Sequence, residues 1–180
     1  MNAFIPPPPK IPFFLRIGIW IAERITDRPM LPARILSWYP KAAVGSGVME
    51  SLVAHHEGRL NERLLKLVRM AASHTAACPF CVDMNSYRHR ESGISDEEAL
   101  AVQGQIDLDA VASLAQHERL AIRYARLVSH SPLHFPAEFI TELTKHFNER
   151  EIVIMASTAA QVNYWARLIQ ALGIPPAGFN

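Results

Sequence analysis

Residues 64–85 read LLKLVRMAASHTAACPFCVDMN, and this stretch predicts a helix, a short break and a second helix. Asn61 is in position to cap the first helix. The second is predicted to begin near Cys78, because Pro79 in a first helical turn has no N–H group to leave unpaired. We predict that it ends at Gly93. In the first helix, apolar side chains recur at the three- and four-residue spacings of an amphipathic helix: Leu64, Leu67, Val68, Ala71 and Ala72.

Capping patterns predict further helices along the rest of the chain. Ser95 with Glu98 forms one capping box, and Asn148 with Glu151 forms another. Gly173 is positioned to end the last helix, and two prolines follow it.

Three other segments also have helical patterns. One runs up to about His56, one spans 117–128 with an apolar face, and one opens at Pro136. There is no Asn-Gly or Asp-Gly hairpin signal. We count seven to nine helices and no convincing strand, so the predicted fold class is all-α.

The first 40 residues differ from the remainder, because they hold eight of the 13 prolines. They predict a Pro-rich arm and a short helix that wrap a helical domain at 41–180, within a single domain overall. In this short helix, Phe14, Ile17, Gly18 and Ile21 form an apolar stripe. The stripe favours packing on the body or on another subunit, and the alternative is an interfacial membrane helix. The apolar run 13–22 is too short to span a bilayer, and no secretory signal is evident, so we expect a cytoplasmic protein.

Composition excludes several classes of protein. The chain has 180 residues, 49% of them hydrophobic, and its 18 Lys and Arg nearly balance 17 Asp and Glu. The net charge of +1 argues against a nucleic-acid partner, which requires a basic excess. Two cysteines can neither build a multi-disulfide framework nor fill a tetrahedral zinc site.

The two cysteines, Cys78 and Cys81, are the strongest functional signal. At positions i and i+3 of a helix's first turn they share one face and can close a disulfide. Free N–H groups and the helix dipole favour a thiolate there, and this lowers a cysteine pKa. A thiolate can attack a peroxide or a disulfide, after which the neighbouring cysteine resolves the product.

Three other interpretations of the pair are open. The cysteines can be inert core residues, a purely structural disulfide, or half of a metal site completed by His74 and His89. We favour redox activity, without a metal or another cofactor.

The run from Leu64 to Asn85 resembles the carboxymuconolactone decarboxylase family, and more narrowly its AhpD-like alkylhydroperoxidase branch. The likeness covers about residues 60–105 and returns at 149–175. It implies an all-helical AhpD-like bundle and a homo-oligomer, either a trimer, a multiple of trimers or a dimer. It also implies a peroxidase or disulfide reductase that takes a peroxide or disulfide substrate and electrons from an external thiol. Cys81 would then meet the substrate, and Cys78 would exchange with the thiol donor.

The chain departs from the family at the proton relay. The best-studied members carry a Glu twelve residues before the first cysteine and a His four residues after the second, and some carry a His between the cysteines. Here these positions hold Lys66, Asn85 and Phe80. The relay therefore does not carry over to this chain.

Other side chains are candidates to support the cysteines. Glu118 is a possible base, or else a solvated carboxylate in a helix's first turn. His74, four residues before Cys78, is a possible relay or a local helix cap. Lys66 can stabilise a thiolate or lie at the surface, and Asn85 can bind sulfur or substrate or simply pack. Phe80, between the cysteines, is a further candidate substrate-binding or supporting residue.

Two alternative functions remain open at the level of sequence. One is a catalytically quiet oligomer that senses redox state or binds a ligand, having kept the fold and lost the relay. The other is a small-molecule enzyme related to the decarboxylases, in which the cysteines are incidental.

Overall fold

The computed structural model describes residues 3–52 and 59–179. The predicted helix up to about His56 therefore extends partly outside the described residues. Within the described part the fold is all-α and no β-strand occurs, as predicted. Its nine α-helices are α1 (Phe13–Thr26), α2 (Leu31–Leu36), α3 (Pro40–Leu52), α4 (Glu62–Thr75), α5 (Pro79–Ser86), α6 (Asp96–Val102), α7 (Gln116–Ser129), α8 (Ala137–His146) and α9 (Glu149–Ala171). Two 3₁₀ turns, His89–Ser92 and Leu108–Ala110, flank α6.

Helix α4 is the centre of the molecule. It packs mainly against α7 and α9, and its C-terminal half also contacts α5. Asn61 caps it, since the Asn61 side chain accepts a hydrogen bond from the Leu64 N–H at 2.8 Å. The predicted apolar stripe of α4 is fully buried in the main core. Because this stripe is buried against two long helices, α4 is held in place, and so are the segments that precede and follow it.

The predicted capping boxes are present at the starts of α6 and α9. Gly173 ends α9 in the left-handed conformation, with φ +62°. A β-carbon at Gly173 would lie 2.5 Å from the Phe4 ring, so the close approach of the N-terminal segment also requires glycine here. The backbone N–H of Phe4 donates to the Leu172 carbonyl, which attaches this segment to the end of α9.

The predicted end of the second helix at Gly93 is wrong, because α5 ends at Ser86. Tyr87 leaves the helical conformation, with ψ of 131°, and Arg88 adopts a left-handed φ of 51°. The Lys66 ammonium donates to the Tyr87 carbonyl at 2.5 Å and stabilises this turn. Gly93, with φ +74°, ends the following 3₁₀ turn instead.

The apolar stripe of α1 is not packed into the body of this chain. Leu15 and Ile19 are the buried residues of α1, whereas Phe14, Ile17 and Ile21 are each about half exposed. Among the described residues, no helix combines the length and apolar character needed to cross a membrane.

Candidate functional site

A tight turn between α4 and α5 positions the two cysteines. Ala77 takes a left-handed φ of 48°, and its N–H donates to the His74 carbonyl. The Cys78 N–H donates to the Ser73 carbonyl at 3.3 Å, so the chain reverses within three residues of the end of α4. Cys78 is then the N-cap of α5 and Pro79 its first residue, as predicted.

Cys78 and Cys81 form a disulfide with a Cα–Cα separation of 5.2 Å. The Cys81 N–H donates to the Cys78 sulfur at 3.2 Å, so that one sulfur already receives a first-turn N–H. This donor and the positive end of the helix dipole favour a thiolate at Cys78 when the pair is reduced. Both side chains are buried, at 0% and 2% exposure. A sulfur at this position therefore meets another molecule only through an internal cavity or after local opening.

Such a cavity borders Cys81 but not Cys78. It has a volume of about 730 Å³, and α1, α2 and α3 form most of its apolar wall. This volume lies within the range of small-molecule sites in proteins. The charged and amide side chains that line it, Glu50, Arg69, Asn85 and Gln161, come from α3, α4, α5 and α9.

The structure brings two predicted supporting residues to Cys81. Phe80 and Asn85 both line the cavity with it. Phe80 is buried and meets Phe179 edge-on, with ring centroids 6.5 Å apart. Asn85 donates from Nδ2 to the Ser73 hydroxyl at 2.8 Å, and that hydroxyl donates to the Arg69 carbonyl. Asn85 is thereby held against α4, with its amide oxygen directed to no described donor.

Lys66 and His74 lie on α4 but do not line the cavity. Lys66 instead donates to the Tyr87 carbonyl, and burial lowers its pKa. Burial likewise lowers the pKa of His74, and the nearby positive charge of Arg126 adds to the effect. The His74 imidazole therefore favours the neutral form, and its Nε2 atom is buried without a hydrogen bond to any described residue.

Glu118 is not near the cysteines. It is buried at the start of α7, where its side chain accepts from the Ala115 N–H at 3.0 Å and from the Arg63 guanidinium at 2.7 Å. Arg63 lies in the first turn of α4, whereas the cysteines follow the last turn. At a rise of about 1.5 Å per residue, the length of α4 separates them by roughly 18 Å. Glu118 is neither the solvated carboxylate of one interpretation nor a neighbour of the sulfur atoms.

Arg63 joins Glu118 to a second carboxylate, that of Glu98. The Arg63–Glu98 contact is 2.7 Å, and both Glu98 oxygens accept from the guanidinium. Burial disfavours the Glu98 charge, but the hydrogen bonds from Arg63 and from the Ser95 N–H outweigh it and lower the pKa of Glu98 to about 2. The Glu98 and Glu118 hydrogen bonds make this a closed ion-pair network that joins α4, α6 and α7.

Sequence reasoning missed Arg69, the single cationic side chain that lines the cavity among the described residues. It makes no hydrogen bond or ion pair with any described residue. Burial lowers its pKa, and the attraction of Glu50 opposes this effect. The sequence held a partial signal, since Arg69 lies one turn after the apolar Leu65 and one turn before the small Ser73, and the structure buries both. A charged residue between two buried positions of one helix face indicates a polar group turned inward.

Glu50, another of the charged and amide side chains that line the cavity, is engaged by two donors from α9. Its Oε2 atom accepts from the Gln161 amide at 2.7 Å and from the Trp165 indole at 2.9 Å. The Trp165 side chain, which donates to Glu50, also lines the cavity. Asn163, by contrast, donates to the Ser129 hydroxyl and to the Ala159 carbonyl, which is a structural role.

The proposed metal half-site has no support in the described part of the chain. No group of three His, Cys, Asp or Glu side chains gathers there in a way that could hold an ion. His89, one of the suggested ligands, contacts Asp96 at 3.1 Å and the Ser86 carbonyl.

Comparison with known proteins confirms the resemblance read from the sequence. Residues 46–126 match the model of the Carboxymuconolactone decarboxylase family. The uncharacterized protein YnjA of Escherichia coli (strain K12) is 26% identical over 174 residues, which cover 97% of this chain and 94% of YnjA.

Two solved structures share the fold at low sequence identity. The alkylhydroperoxidase AhpD core protein of Ralstonia eutropha JMP134, an uncharacterized peroxidase-related protein, superimposes with a TM-score of 0.80 at 16% identity. That match covers 98% of this chain and 93% of the other. The debrominase Bmp8 in complex with 2,3,4-tribromopyrrole gives a TM-score of 0.77 at 19% identity, covering 96% and 91%. The fold is therefore AhpD-like.

Proposed function

We propose that this chain, with its carboxymuconolactone decarboxylase family segment and AhpD-like fold, is a thiol-dependent oxidoreductase that reduces a hydroperoxide or a disulfide through Cys78 and Cys81. One observation carries the proposal: the two sulfurs pair at the start of α5, and only Cys81 borders the cavity. A substrate in the cavity reaches Cys81 first, with Cys78 placed to resolve the product.

The peroxide reaction balances with the groups present and an external dithiol. The Cys81 thiol passes its proton to the neighbouring Cys78 thiolate, and the Cys81 sulfur attacks the outer peroxide oxygen. The O–O bond breaks, and the alcohol leaves with a proton from water. Cys81 becomes a sulfenic acid. The Cys78 thiol then displaces water from that sulfur and forms the disulfide. Two thiols of the external donor reduce this disulfide and are themselves oxidised to a disulfide.

Among the described residues, none of the predicted relay candidates Glu118, His74 and Lys66 lines the cavity with Cys81. Glu118 is committed to Arg63, and Asn85 can position a substrate oxygen but cannot transfer a proton. This favours the second candidate, a quiet redox sensor or binding protein with the same cysteine pair. The two candidates differ in turnover, not in the ability to form the disulfide.

The test is consumption of an organic hydroperoxide by the purified protein with a dithiol donor. Wild type is compared with Cys81→Ser and with Cys78→Ser. Arg123→Gln serves as a surface control because Asp109, itself exposed, is the one described residue with which Arg123 forms an ion pair. We expect turnover in wild type and in Arg123→Gln and loss of it in both cysteine variants. Equal rates in wild type and Cys81→Ser would refute the enzyme, and disulfide cycling without turnover would favour the sensor.

The fold relationship to the debrominase Bmp8 supplies one further substrate for the same assay. Reductive removal of bromide from a brominated pyrrole also consumes two thiols and yields a disulfide. We include 2,3,4-tribromopyrrole as a substrate, and bromide release that depends on Cys81 would redefine the reaction while leaving the role of the cysteine pair intact.

We also propose that the protein is a homo-oligomer. The argument is the apolar surface of α1, where Phe13, Trp20 and Ile25 are 75%, 65% and 79% exposed. Exposed apolar patches of this kind mark interaction sites. Light scattering on the eluting protein is expected to give a dimer, a trimer or a multiple of trimers, and a monomer at micromolar concentration would contradict the proposal.

A further inference from the structure

We propose that the cavity beside Cys81 binds an apolar molecule that carries a single anionic group, such as a carboxylate, and that the Arg69 guanidinium holds this group. The proposal rests on the proposed function only in naming that molecule as the substrate of Cys81. It concerns a residue that no part of the cysteine chemistry requires.

The volume and lining of the cavity determine the first feature of the ligand, its apolar body. Its wall is almost entirely apolar, from residues such as Phe14, Ile19 and Leu36 on α1 and α2. A volume of about 730 Å³ accommodates far more than a peroxide group alone. Burying apolar surface against such a wall contributes about 25 cal/mol per Å². The site therefore favours a ligand with a substantial hydrocarbon body.

Arg69 determines the second feature of the ligand, its anionic group. Its guanidinium carries five N–H donors, and none of them bonds to a described residue. An anion bound there accepts charge-assisted hydrogen bonds from these donors, and such bonds are stronger in a largely apolar site than in water. A carboxylate suits it best, because two parallel N–H···O bonds match the planar guanidinium.

Among the described residues, Glu50 is the other charged side chain that lines the cavity, and it does not bond to the Arg69 guanidinium. Its Oε2 atom takes hydrogen bonds from Gln161 and Trp165, and it forms no ion pair with Arg69. Glu50 attracts Arg69 but stays apart from it, so the guanidinium still has room for a second anion. The same negative charge repels that anion, so Glu50 should weaken its binding.

Cys81 and Asn85 share the cavity with Arg69, and this fixes how the ligand lies. Asn85 is held on Ser73, one turn after Arg69 on α4. With the anionic group on Arg69 and the body along α1 and α2, the ligand passes Cys81. Arg69 is thus a specificity-determining residue for the substrate.

The test uses three probes with the same ten-carbon chain: decanoate, decan-1-ol and decyltrimethylammonium. Binding to the wild-type protein is followed by the change in tryptophan fluorescence, to which Trp165 in the cavity lining contributes beside Trp20 and Trp38, and is checked by calorimetry. We expect decanoate to bind about 10- to 100-fold more tightly than decan-1-ol, the range expected for a charge-assisted hydrogen bond. The cation should bind no better than the alcohol.

Four variants separate the contributions. Arg69→Gln should lose the preference for decanoate while keeping its affinity for decan-1-ol, and Arg69→Lys should keep part of the preference. Glu50→Gln should tighten decanoate binding, and Arg123→Gln should change nothing. Circular dichroism verifies that each variant is folded. Equal binding of decanoate and decan-1-ol to wild type, or an unchanged preference in folded Arg69→Gln, would overturn the proposal.

The same titration in a Cys78→Ser/Cys81→Ser double variant distinguishes this inference from the proposed function. A preference for decanoate without any turnover in wild type would contradict the proposed enzymatic function and support the ligand site. Turnover without a preference for decanoate would support the enzymatic function and contradict the ligand site.

Discussion

Helix α4 carries two arginines in contrasting surroundings. Arg63, in its first turn, bonds to Glu98, Glu118 and the Gly93 carbonyl. Arg69, about 9 Å further along at the helical rise, bonds to no described residue. The hydrogen bonds that Arg63 donates to Glu98 and then to Glu118 raise the pKa of Arg63, whereas burial lowers that of Arg69. A guanidinium with every bond made inside the chain stabilises the fold, and one left open beside a cavity can bind a ligand.

This contrast predicts that substitutions on the two sides of α4 have different effects. On the side of Arg63 they should change stability and leave turnover per folded molecule intact. On the cavity side they should change binding or turnover and leave stability nearly intact.

The largest effect is expected on the cavity side, from Cys81→Ser. Turnover of an organic hydroperoxide should fall by at least about 10³-fold, because the attacking sulfur is lost. Stability should stay close to that of the dithiol-reduced wild type, since serine is similar in size and no disulfide is present in either protein. Stopped-flow peroxide assays and urea unfolding measure the two quantities. A residual rate above a tenth of that of wild type would contradict the expected effect of substitutions on the cavity side.

Next comes Arg63→Met, which should lower the free energy of unfolding by about 3 kcal/mol. It leaves the buried carboxylates of Glu98 and Glu118 without their cation. Arg123→Gln is the matched control, because it breaks an exposed pair whose expected contribution is about 0.2 to 1 kcal/mol. Urea unfolding compares them. Similar losses in both variants would mean that the buried network does not stabilise the fold.

The same network makes the stability of the fold depend on pH in the acidic range. The pKa of Glu98 is about 2 in the fold, against an ordinary value of 4.5 for a glutamate side chain. Its stabilising contribution is therefore complete above about pH 4.5 and is lost as the pH falls toward 2. We expect a loss of roughly 2 kcal/mol across this window, and Glu98→Gln should remove that part of the slope. Asp96, whose pKa is also about 2 because of Arg90 and then His89, remains in both proteins. An unchanged slope in Glu98→Gln would contradict the assignment.

The smallest effect is expected from Lys66→Met. Lys66 occupies the position of the family's relay carboxylate but bonds to the Tyr87 carbonyl. Removing that bond should lower the free energy of unfolding by about 1 kcal/mol and change turnover less than about threefold. Thermal unfolding and the peroxide assay measure the two quantities. A turnover loss as large as that of Cys81→Ser would place Lys66 in the chemistry and contradict its structural role.

Local sequence signals predicted much of the fold. The caps at Asn61, Ser95 and Asn148 each depend on residues within three positions, and all are present. The same holds for Pro79 at the start of α5. Because the hydrogen bonds that define these caps form between residues close in the sequence, the caps can be predicted without the tertiary structure.

Long-range contacts explain what the sequence did not predict. The end of α5 depends on Lys66, which is 21 residues away from Tyr87. The place of Glu118 depends on Arg63, which is 55 residues away. The cavity depends on side chains of α1 to α3 that lie in space beside Cys81, and neither periodicity nor spacing within one segment reveals that arrangement.

The central claim is that Cys81 is the sulfur that meets the substrate from the cavity. It is tested most directly by trapping sulfenic acid with dimedone in Cys78→Ser and Cys81→Ser after one equivalent of organic hydroperoxide, read by intact-protein mass spectrometry. We predict near-stoichiometric labelling of Cys81 in Cys78→Ser and little labelling of Cys78 in Cys81→Ser. Equal labelling of the two variants, or labelling of Cys78 alone, would contradict the account.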